Sequence, residues 1–389
     1  MNKQKTILVM ADVFEGIFGQ PQVREFLRTS IAHGRVSHAY LFTGPSGSNK
    51  TMAAYAFAQA ILCPDKGCQN CECCKKVMRK KHPDVRYFAP EGANGYLVEQ
   101  VRDIVSDTSL APIQASKKVY ILDRVDLLGI QAANAFLKTL EEPPSDVVLI
   151  LLGRTRESVL PTIVSRCQVV PFRHIPASEA AGILVQNTGV SASEAAIAIQ
   201  ACGGSITKAM EFLQSSERMV FRSHVLDILA SLQVADDWDI IKYAQDLVVR
   251  AKAPLDVVRA AQEEELAESA DFLAKSAIRQ IEARNKRALT AATLDSLRQT
   301  TAIVRSWLRD ILMFVAERPT LIINTDVTSS IEQAALSTDE ARVVRALQVC
   351  AATDEAISYN VSPETCIDAL FMQVREVLYG SHSADKATL

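Results

Sequence analysis

Short apolar runs alternate with segments of helical periodicity along the first part of the chain, up to about residue 173. The apolar runs have the length of strands, and the segments between them carry apolar residues three or four positions apart, as amphipathic helices do. Strands that alternate with helices predict a parallel sheet covered by helices on both faces. The predicted strands are residues 40–43, 85–89, 118–122, 147–152 and 168–171, and the predicted helices are residues 23–33, 51–62, 98–110 and 131–141.

Strand signals nearly vanish after Pro176, and the pattern becomes helical throughout. Short breaks marked by Gly or Ser separate the helices up to about Ala235, whereas longer amphipathic stretches such as residues 294–315 and 340–357 follow. This change in helix length predicts two helical domains after the α/β domain. The expected divisions are the α/β domain at residues 1–173, a small helical domain at 174–236, a larger helical domain at 237–380 and a polar, disordered tail at 381–389.

The composition is that of a globular, helix-rich protein with several domains, since 389 residues are 48% hydrophobic with few Gly and Pro. The net charge of -3 argues against the basic surface of an independent nucleic-acid-binding protein. No apolar run approaches the roughly 20 residues that a membrane span needs, and the first residues make a poor signal peptide. We therefore expect a cytoplasmic protein with no membrane partner.

The stretch at residues 44–51, Gly-Pro-Ser-Gly-Ser-Asn-Lys-Thr, lies between a predicted strand and a predicted helix, which is the layout of a phosphate-binding loop. Gly44 and Gly47 would let the backbone approach phosphates, Lys50 would pair with them, and Thr51 would hold Mg²⁺. The pattern asks for Gly before the lysine, where this chain has Asn49. Because Asn tolerates left-handed dihedral angles, we expect the loop to form. Whether it still binds ATP with Mg²⁺ stays open at this point.

A second element of a nucleotide site would be an apolar strand that ends in acidic residues. Asp123 follows the apolar run at residues 118–122 and would support Mg²⁺. The next position, where an ATPase has a carboxylate that polarises the attacking water, is Arg124, and a cation cannot serve as a general base. A buried strand with a surface turn would give the same sequence, but the upstream loop favours a degenerate ATPase site.

Five of the nine cysteines fall between residues 63 and 74. The spacing of Cys63, Cys68, Cys71 and Cys74 predicts a structural Zn²⁺ site, because four thiolates complete its tetrahedral shell. Cys73 would be the spare, although an exchange of roles with Cys74 stays open. The alternative is a redox or incidental thiol cluster. The basic run that follows contains no interleaved aromatic residues and is more typical of a solvated helix face than of a nucleic-acid patch.

Two further stretches carry a resemblance to a known family: Leu-Lys-Thr-Leu-Glu-Glu-Pro-Pro at residues 137–144 and Ser-Arg-Cys at residues 165–167. With them, the cysteine module and the stretches at residues 14–20 and 38–42 resemble the bacterial replicative clamp loader, whose AAA+ subunits belong to the DNA polymerase III holoenzyme. The resemblance covers nearly the whole chain and weakens over residues 210–300. It implies a P-loop AAA+ domain with an inserted zinc module, a helical lid domain and a helical collar domain.

Two types of subunit compete within this family. The gamma/tau type hydrolyses ATP, whereas the delta-prime type keeps the zinc module and Ser-Arg-Cys but has lost ATPase residues. This chain departs from the ATPase pattern at Asn49, at Arg124 and at Thr207, where the ATPase members carry an arginine that senses the γ-phosphate; the neighbouring Lys208 is a doubtful substitute. The three departures favour the delta-prime type, with no ATPase activity of its own, and the gamma/tau type is the alternative.

The resemblance also implies a role for Arg166, which by itself would be interpreted as a surface ion pair. In clamp loaders this arginine reaches a neighbouring subunit's ATP as an arginine finger supplied in trans. The chain would then act as a stator in a hetero-oligomeric ring with gamma/tau and delta subunits. That ring opens the sliding clamp and places it on primed DNA, which this chain would contact only through the assembly. A zinc-dependent nucleic-acid-binding module is the third hypothesis.

The collar domain would pack with the helices of other subunits. Its long predicted helix carries a broad apolar stripe, wide enough for an internal core and a partner, although a self-contained core would explain any single position. Nothing in the chain resembles the paired metal-binding carboxylates of a polymerase, although the holoenzyme is a DNA-directed DNA polymerase. The stripe consists of Leu297, Val304, Leu308, Ile311 and Val315, widened by Trp307 and Leu312.

Overall fold

The computed structural model describes residues 12–92, 95–269, 275–358 and 362–380. The chain divides into two compact units, Met1–Ile183 and Leu184–Leu389. The tail predicted to be disordered, at residues 381–389, lies outside the described residues. None of the helices in the described ranges is long and apolar enough to cross a membrane.

A single five-stranded parallel sheet forms the centre of the first unit, with strand order β2-β3-β4-β1-β5. The predicted strands are therefore confirmed, and their predicted ends differ from the observed ends by one residue at most. The two outer positions are taken by the shortest strands, whose residues are partly exposed, whereas the three central strands are buried along their whole length. The bounds are β1 Ala39–Thr43, β2 Val85–Phe88, β3 Lys118–Leu122, β4 Val147–Gly153 and β5 Gln168–Pro171.

Side chains on the central strands alternate between two hydrophobic cores, one on each face of the sheet. On β3, for example, Val119 and Ile121 belong to one core, and Tyr120 and Leu122 belong to the other. The first core contains residues of α1 and α2, and the second contains residues of α4 and α5, so helices cover both faces as predicted. The helices are α1 Pro21–Ala32, α2 Lys50–Leu62, α3 Glu72–Met78, α4 Val98–Thr108, α5 Ile130–Glu141, α6 Pro161–Val164 and α7 Ala177–Thr188.

The regular secondary structure of the second unit consists of helices in the residues that the structure describes, as predicted. The apolar stripe lies on α12, where Trp307 is completely buried and Leu297, Val304 and Leu308 are buried with it. Helix α12 packs against α14, α13 and α10, so most of the stripe lies in the core of this unit, whereas Leu312 and Val315 are only half-buried. The division near residue 236 stays a prediction. The helices are α8 Ala192–Ala201, α9 Ile206–Gln214, α10 Ser216–Ser231, α11 Asp237–Ser269, α12 Lys275–Val315, α13 Thr328–Ala335, α14 Glu340–Ser358 and α15 Pro363–Tyr379.

Candidate functional site

The loop between β1 and α2 has the backbone form that the sequence predicts. Asn49 takes the left-handed conformation (φ 68°, ψ 21°) directly before α2 begins at Lys50. Its side-chain amide donates a hydrogen bond of 3.3 Å to the Phe18 carbonyl, and this contact helps to hold an L-residue where Gly is usual. The expectation that Asn49 permits the loop to form is confirmed.

The loop is fixed to the C-terminal end of the sheet by close packing at Gly44 and by hydrogen bonds from Gln20. Gly44 lies so close to β5 that a Cβ there would be 2.7 Å from the Phe172 carbonyl oxygen, which no side chain tolerates. The buried amide of Gln20 donates to the carbonyl of Ser48 at 3.2 Å and to that of Arg173 at 2.8 Å. The loop is therefore joined both to the exit of β5 and to the segment before α1.

The side chain of Lys50 lies over the loop. Its ammonium group donates to the carbonyl oxygens of Gly44 at 2.5 Å and Pro45 at 2.7 Å and to the Ser48 hydroxyl at 3.3 Å. Burial lowers the pKa of Lys50 to about 8, although the carboxylates of Asp123 and Asp126 oppose this shift. The lysine is thus placed at the loop, where it could pair with a phosphate that competes with the loop carbonyls.

Asp123 lies at the end of β3, as predicted, but its carboxylate is already hydrogen-bonded on both oxygens. The hydroxyl of Tyr87 on β2 donates to Oδ2 at 2.7 Å, and the backbone N–H of Arg124 donates to Oδ1 at 2.9 Å. Sequence reasoning missed the role of Tyr87, because no local signal marks a contact between residues 36 positions apart. Asp123 and Lys50 lie close enough to interact electrostatically, so the structure brings the loop and the strand end together.

Four of the predicted metal ligands come together in a separate cluster. The Cys63 sulfur lies 3.7 Å from those of Cys68 and Cys71, and the sulfurs of Cys68 and Cys74 are 3.9 Å apart. A tetrahedral Zn²⁺ with Zn–S bonds of about 2.3 Å requires sulfur–sulfur distances of about 3.8 Å. The backbone N–H groups of Cys71 and Cys74 donate to the sulfurs of Cys68 and Cys71, each at 3.4 Å. The cluster therefore fits a tetrahedral ion, whereas Cys73 is not among the grouped cysteines.

Arg166 is located on the turn between α6 and β5, with its side chain about one-third exposed (32%). Its Nε donates to Oε1 of Glu141 at 2.8 Å, its Nη2 donates to the same oxygen, and its Nη1 donates to the Thr162 carbonyl at 2.9 Å. The two motifs that carry the family resemblance are thus in direct contact. Sequence reasoning missed this pair, because 25 positions separate the two residues.

Arg166 and the phosphate-binding loop lie at opposite ends of the parallel strands, Arg166 where they begin and the loop where they end. Arg166 precedes β5, and the loop follows β1, which pairs with β5 in parallel. The N-terminal end of one parallel strand and the C-terminal end of its neighbour are separated by the length of the strand, which is about 13 Å for four residues. Arg166 is therefore remote from the loop of its own chain.

Comparison with known proteins finds relatives for this α/β unit. A family model described as "DNA polymerase III, delta subunit" matches residues 19–176. The chain is 39% identical over 173 residues to the DNA polymerase III subunit tau of Bacillus subtilis, with 43% of this chain and 30% of the relative covered. It is 36% identical over 157 residues to the delta' subunit of the same organism, with 40% and 47% covered. The matches thus span less than half of either relative's length.

Among solved structures, a DNA polymerase III gamma subunit-related protein from Thermotoga maritima superposes with a TM-score of 0.47 at 17% identity, over 90% of this chain and 99% of that one. The α/β unit of this chain is therefore similar to DNA polymerase III subunits of both the tau and the delta' type, in agreement with the resemblance to the clamp-loader family.

Proposed function

We propose that this chain is a delta-prime-type clamp-loader subunit, which does not hydrolyse ATP and supplies Arg166 as an arginine finger to the ATP of a neighbouring subunit. The observation that carries this proposal is the position of Arg166 at the N-terminal end of the strands, whereas the phosphate-binding loop of the same chain lies at their C-terminal end. A partly exposed guanidinium at that end of the strands is remote from its own nucleotide site but accessible to another subunit. There it would stabilise the negative charge that develops on the transferred phosphoryl group.

Four features of the chain's own site support the absence of turnover. Asn49 replaces the loop glycine, and Arg124 replaces the carboxylate that would polarise water. Asp123, the remaining acidic residue, has both oxygens engaged by donors of the protein. Thr207, on the first turn of α9, replaces the arginine that the ATPase members carry at the sensor position. Gly44, Gly47, Lys50 and Thr51 would still allow a nucleotide with Mg²⁺ to bind without being hydrolysed.

The cysteine cluster would hold a structural Zn²⁺. Cys63, Cys68, Cys71 and Cys74 supply four sulfurs, so no coordination position is left for water or substrate, and the ion would have no catalytic role. Bound there, it would join the end of α2 to the start of α3. The partners in this proposal are gamma/tau and delta subunits in a ring, the sliding clamp, and primed DNA reached through the assembly in the cytoplasm.

The gamma/tau type remains the second candidate, because the tau relative is slightly more similar to this chain than the delta' relative, at 39% against 36% identity. A comparison of ATP hydrolysis by the isolated full-length chain with hydrolysis by the complex reconstituted with its partner subunits separates the two. We expect no hydrolysis by the isolated chain. In the complex, Lys50→Ala in this chain should leave the rate unchanged, and Arg166→Ala should reduce it. Hydrolysis by the isolated chain that Lys50→Ala abolishes would establish the gamma/tau type instead.

A further inference from the structure

The guanidinium of Arg166 is held by its own chain through four hydrogen bonds. Two go to Oε1 of Glu141, from Nε at 2.8 Å and from Nη2. Nη1 donates to the Thr162 carbonyl at 2.9 Å and to the Ser165 hydroxyl at 3.2 Å. A guanidinium has five N–H donors, so these bonds define its plane and its orientation at the sheet edge. The side chain is therefore ordered before any partner approaches.

Of these contacts, the one with Glu141 orients the guanidinium relative to the rest of the fold. Thr162 and Ser165 belong to the same short turn as Arg166 and move with it, whereas Glu141 lies 25 positions away, at the last residue of α5. Helix α5 packs against the sheet through Phe136 and Leu140, which are completely buried. The carboxylate is consequently fixed to the core of the α/β unit.

The location of Glu141 is unfavourable for the helix itself. The C-terminal end of a helix carries a partial negative charge, so a carboxylate in the last turn is normally destabilising. The guanidinium of Arg166 compensates this charge directly. An acidic residue at this position is therefore explained by the contact with Arg166 and not by the stability of α5.

We propose that Glu141 is a positioning residue for Arg166, one that holds the Nε side of the guanidinium and so presents its Nη groups to a nucleoside triphosphate bound by a neighbouring subunit. The four contacts use four of the five N–H groups and leave one hydrogen of Nη2 for a ligand. The hydrogen bond from Nη1 to Ser165 is the longest of the four and would be the easiest to break. Two parallel N–H groups would then face a phosphate, the arrangement that guanidinium groups use to bind such anions. This inference rests on the proposed role of Arg166 in trans.

The first test uses the isolated full-length chain and needs no partner. The ¹⁵N–¹H signal of the Arg166 side-chain Nε is assigned by its loss in Arg166→Ala, and its exchange with water is measured. Glu141→Ala should shift this signal and speed its exchange several-fold. Glu142→Ala, which removes the neighbouring exposed carboxylate, should leave both unchanged. An Nε signal that is the same in Glu141→Ala as in the wild type overturns the inference.

The second test measures ATP hydrolysis by the reconstituted complex. Because an exposed ion pair has a modest strength, Glu141→Ala should lower kcat by about two- to fivefold. KM for ATP should not change, since Glu141 does not reach the nucleotide, and Glu142→Ala should match the wild type. In an Arg166→Ala background, Glu141→Ala should have no further effect, because its action passes through the arginine.

The possible failures of this test are distinguishable. A full rate in Glu141→Ala, or a loss that persists in the Arg166→Ala background, overturns the positioning role while the finger role stands. A full rate in Arg166→Ala overturns the finger role, and the positioning role with it, whatever the NMR signal shows.

Discussion

Asp84 lies completely buried at the start of the sheet, directly before β2. Its Oδ1 accepts the backbone N–H of Ile113 at 2.6 Å, and its Oδ2 accepts those of Gln114 and Ala115 at 2.7 and 2.8 Å. These three residues lie on the segment between α4 and β3. One carboxylate therefore fastens that segment to the edge of the sheet, close in sequence to the cysteine module.

Asp84→Asn tests how much this carboxylate contributes. The amide has almost the same volume, but it has no charge, and its NH₂ group would face backbone donors. Hydrogen bonds to a charged group contribute about 1.5–3 kcal/mol each, and a buried charge network typically loses about 3–5 kcal/mol when one partner is removed. Since the amide oxygen can still accept, we expect a loss of about 3–5 kcal/mol in the free energy of unfolding. For a unit of this size that corresponds to a fall in Tm of roughly 6–20 °C.

The pH dependence has a definite sign. Burial alone would raise the pKa of Asp84, but the three N–H groups, together with His82, outweigh it, and the pKa lies below its usual range. A lowered pKa contributes stability that is present above the pKa of the unfolded chain, about 3.9, and is lost as the pH falls through the folded value. The difference between wild type and Asp84→Asn should therefore be full at pH 7 and shrink below about pH 4.

Thermal unfolding followed by circular dichroism measures the loss, and hydrogen exchange at the amides of residues 113–115 locates it. Asp103→Asn, which removes an exposed carboxylate on α4, is the matched control and should change little. If Asp84→Asn is within about 1 kcal/mol of this control at pH 7, or if the amides of residues 113–115 keep their protection, the reasoning about this carboxylate is refuted.

The other predictions concern the metal cluster and the loop. Elemental analysis of the purified chain should find about one Zn²⁺ per molecule. The Cys68→Ser variant should lose the ion and have a lower Tm, whereas the Cys73→Ser variant should retain the ion. Equal loss of metal in both variants would contradict the proposed set of ligands. Asn49→Gly should raise the unfolding free energy by at most about 1 kcal/mol, because Gly adopts a left-handed conformation more readily, as chemical denaturation would measure. The same variant should not hydrolyse ATP while Arg124 remains, and measurable turnover by the isolated Asn49→Gly chain would contradict this account of the degenerate site.

The sequence predicts the sheet almost residue by residue, because its strands are continuous apolar runs between helices. β3 and β5 have the predicted bounds, and the predicted helices differ from α1, α2, α4 and α5 by at most two residues at either end. The bounds of helix α3 were not predicted, although the basic run after the cysteines was interpreted as a solvated helix face. Its N-terminus is capped by the sulfur of Cys71, which accepts the N–H of Cys74, and its seven residues lie in a stretch dominated by cysteines and charges. No apolar periodicity of sufficient length marks such a helix.

The residues of the candidate site were predictable by type, but their contacts were not. The left-handed conformation of Asn49 follows from local preference, so the sequence was sufficient. The pairing of Tyr87 with Asp123 depends on the adjacency of β2 and β3, and that of Arg166 with Glu141 depends on where α5 ends relative to β5. Tertiary placement decides both, and a single sequence does not encode it in any local pattern.

Two residues of the loop at 44–51 are explained by contacts within the fold, independently of nucleotide binding. Gly44 is required by packing, because a Cβ there would lie 2.7 Å from the carbonyl oxygen of Phe172, directly after β5, whether or not a nucleotide is bound. The side chain of Ser48 has a structural contact within the loop, since its hydroxyl donates to the Pro45 carbonyl at 2.8 Å. Asn49, by contrast, occupies a position where the backbone needs only a tolerant residue. A loop that looks like an ATPase motif is therefore compatible with a chain that has lost turnover, and the motif alone is weaker evidence of catalysis than the residues at the end of β3.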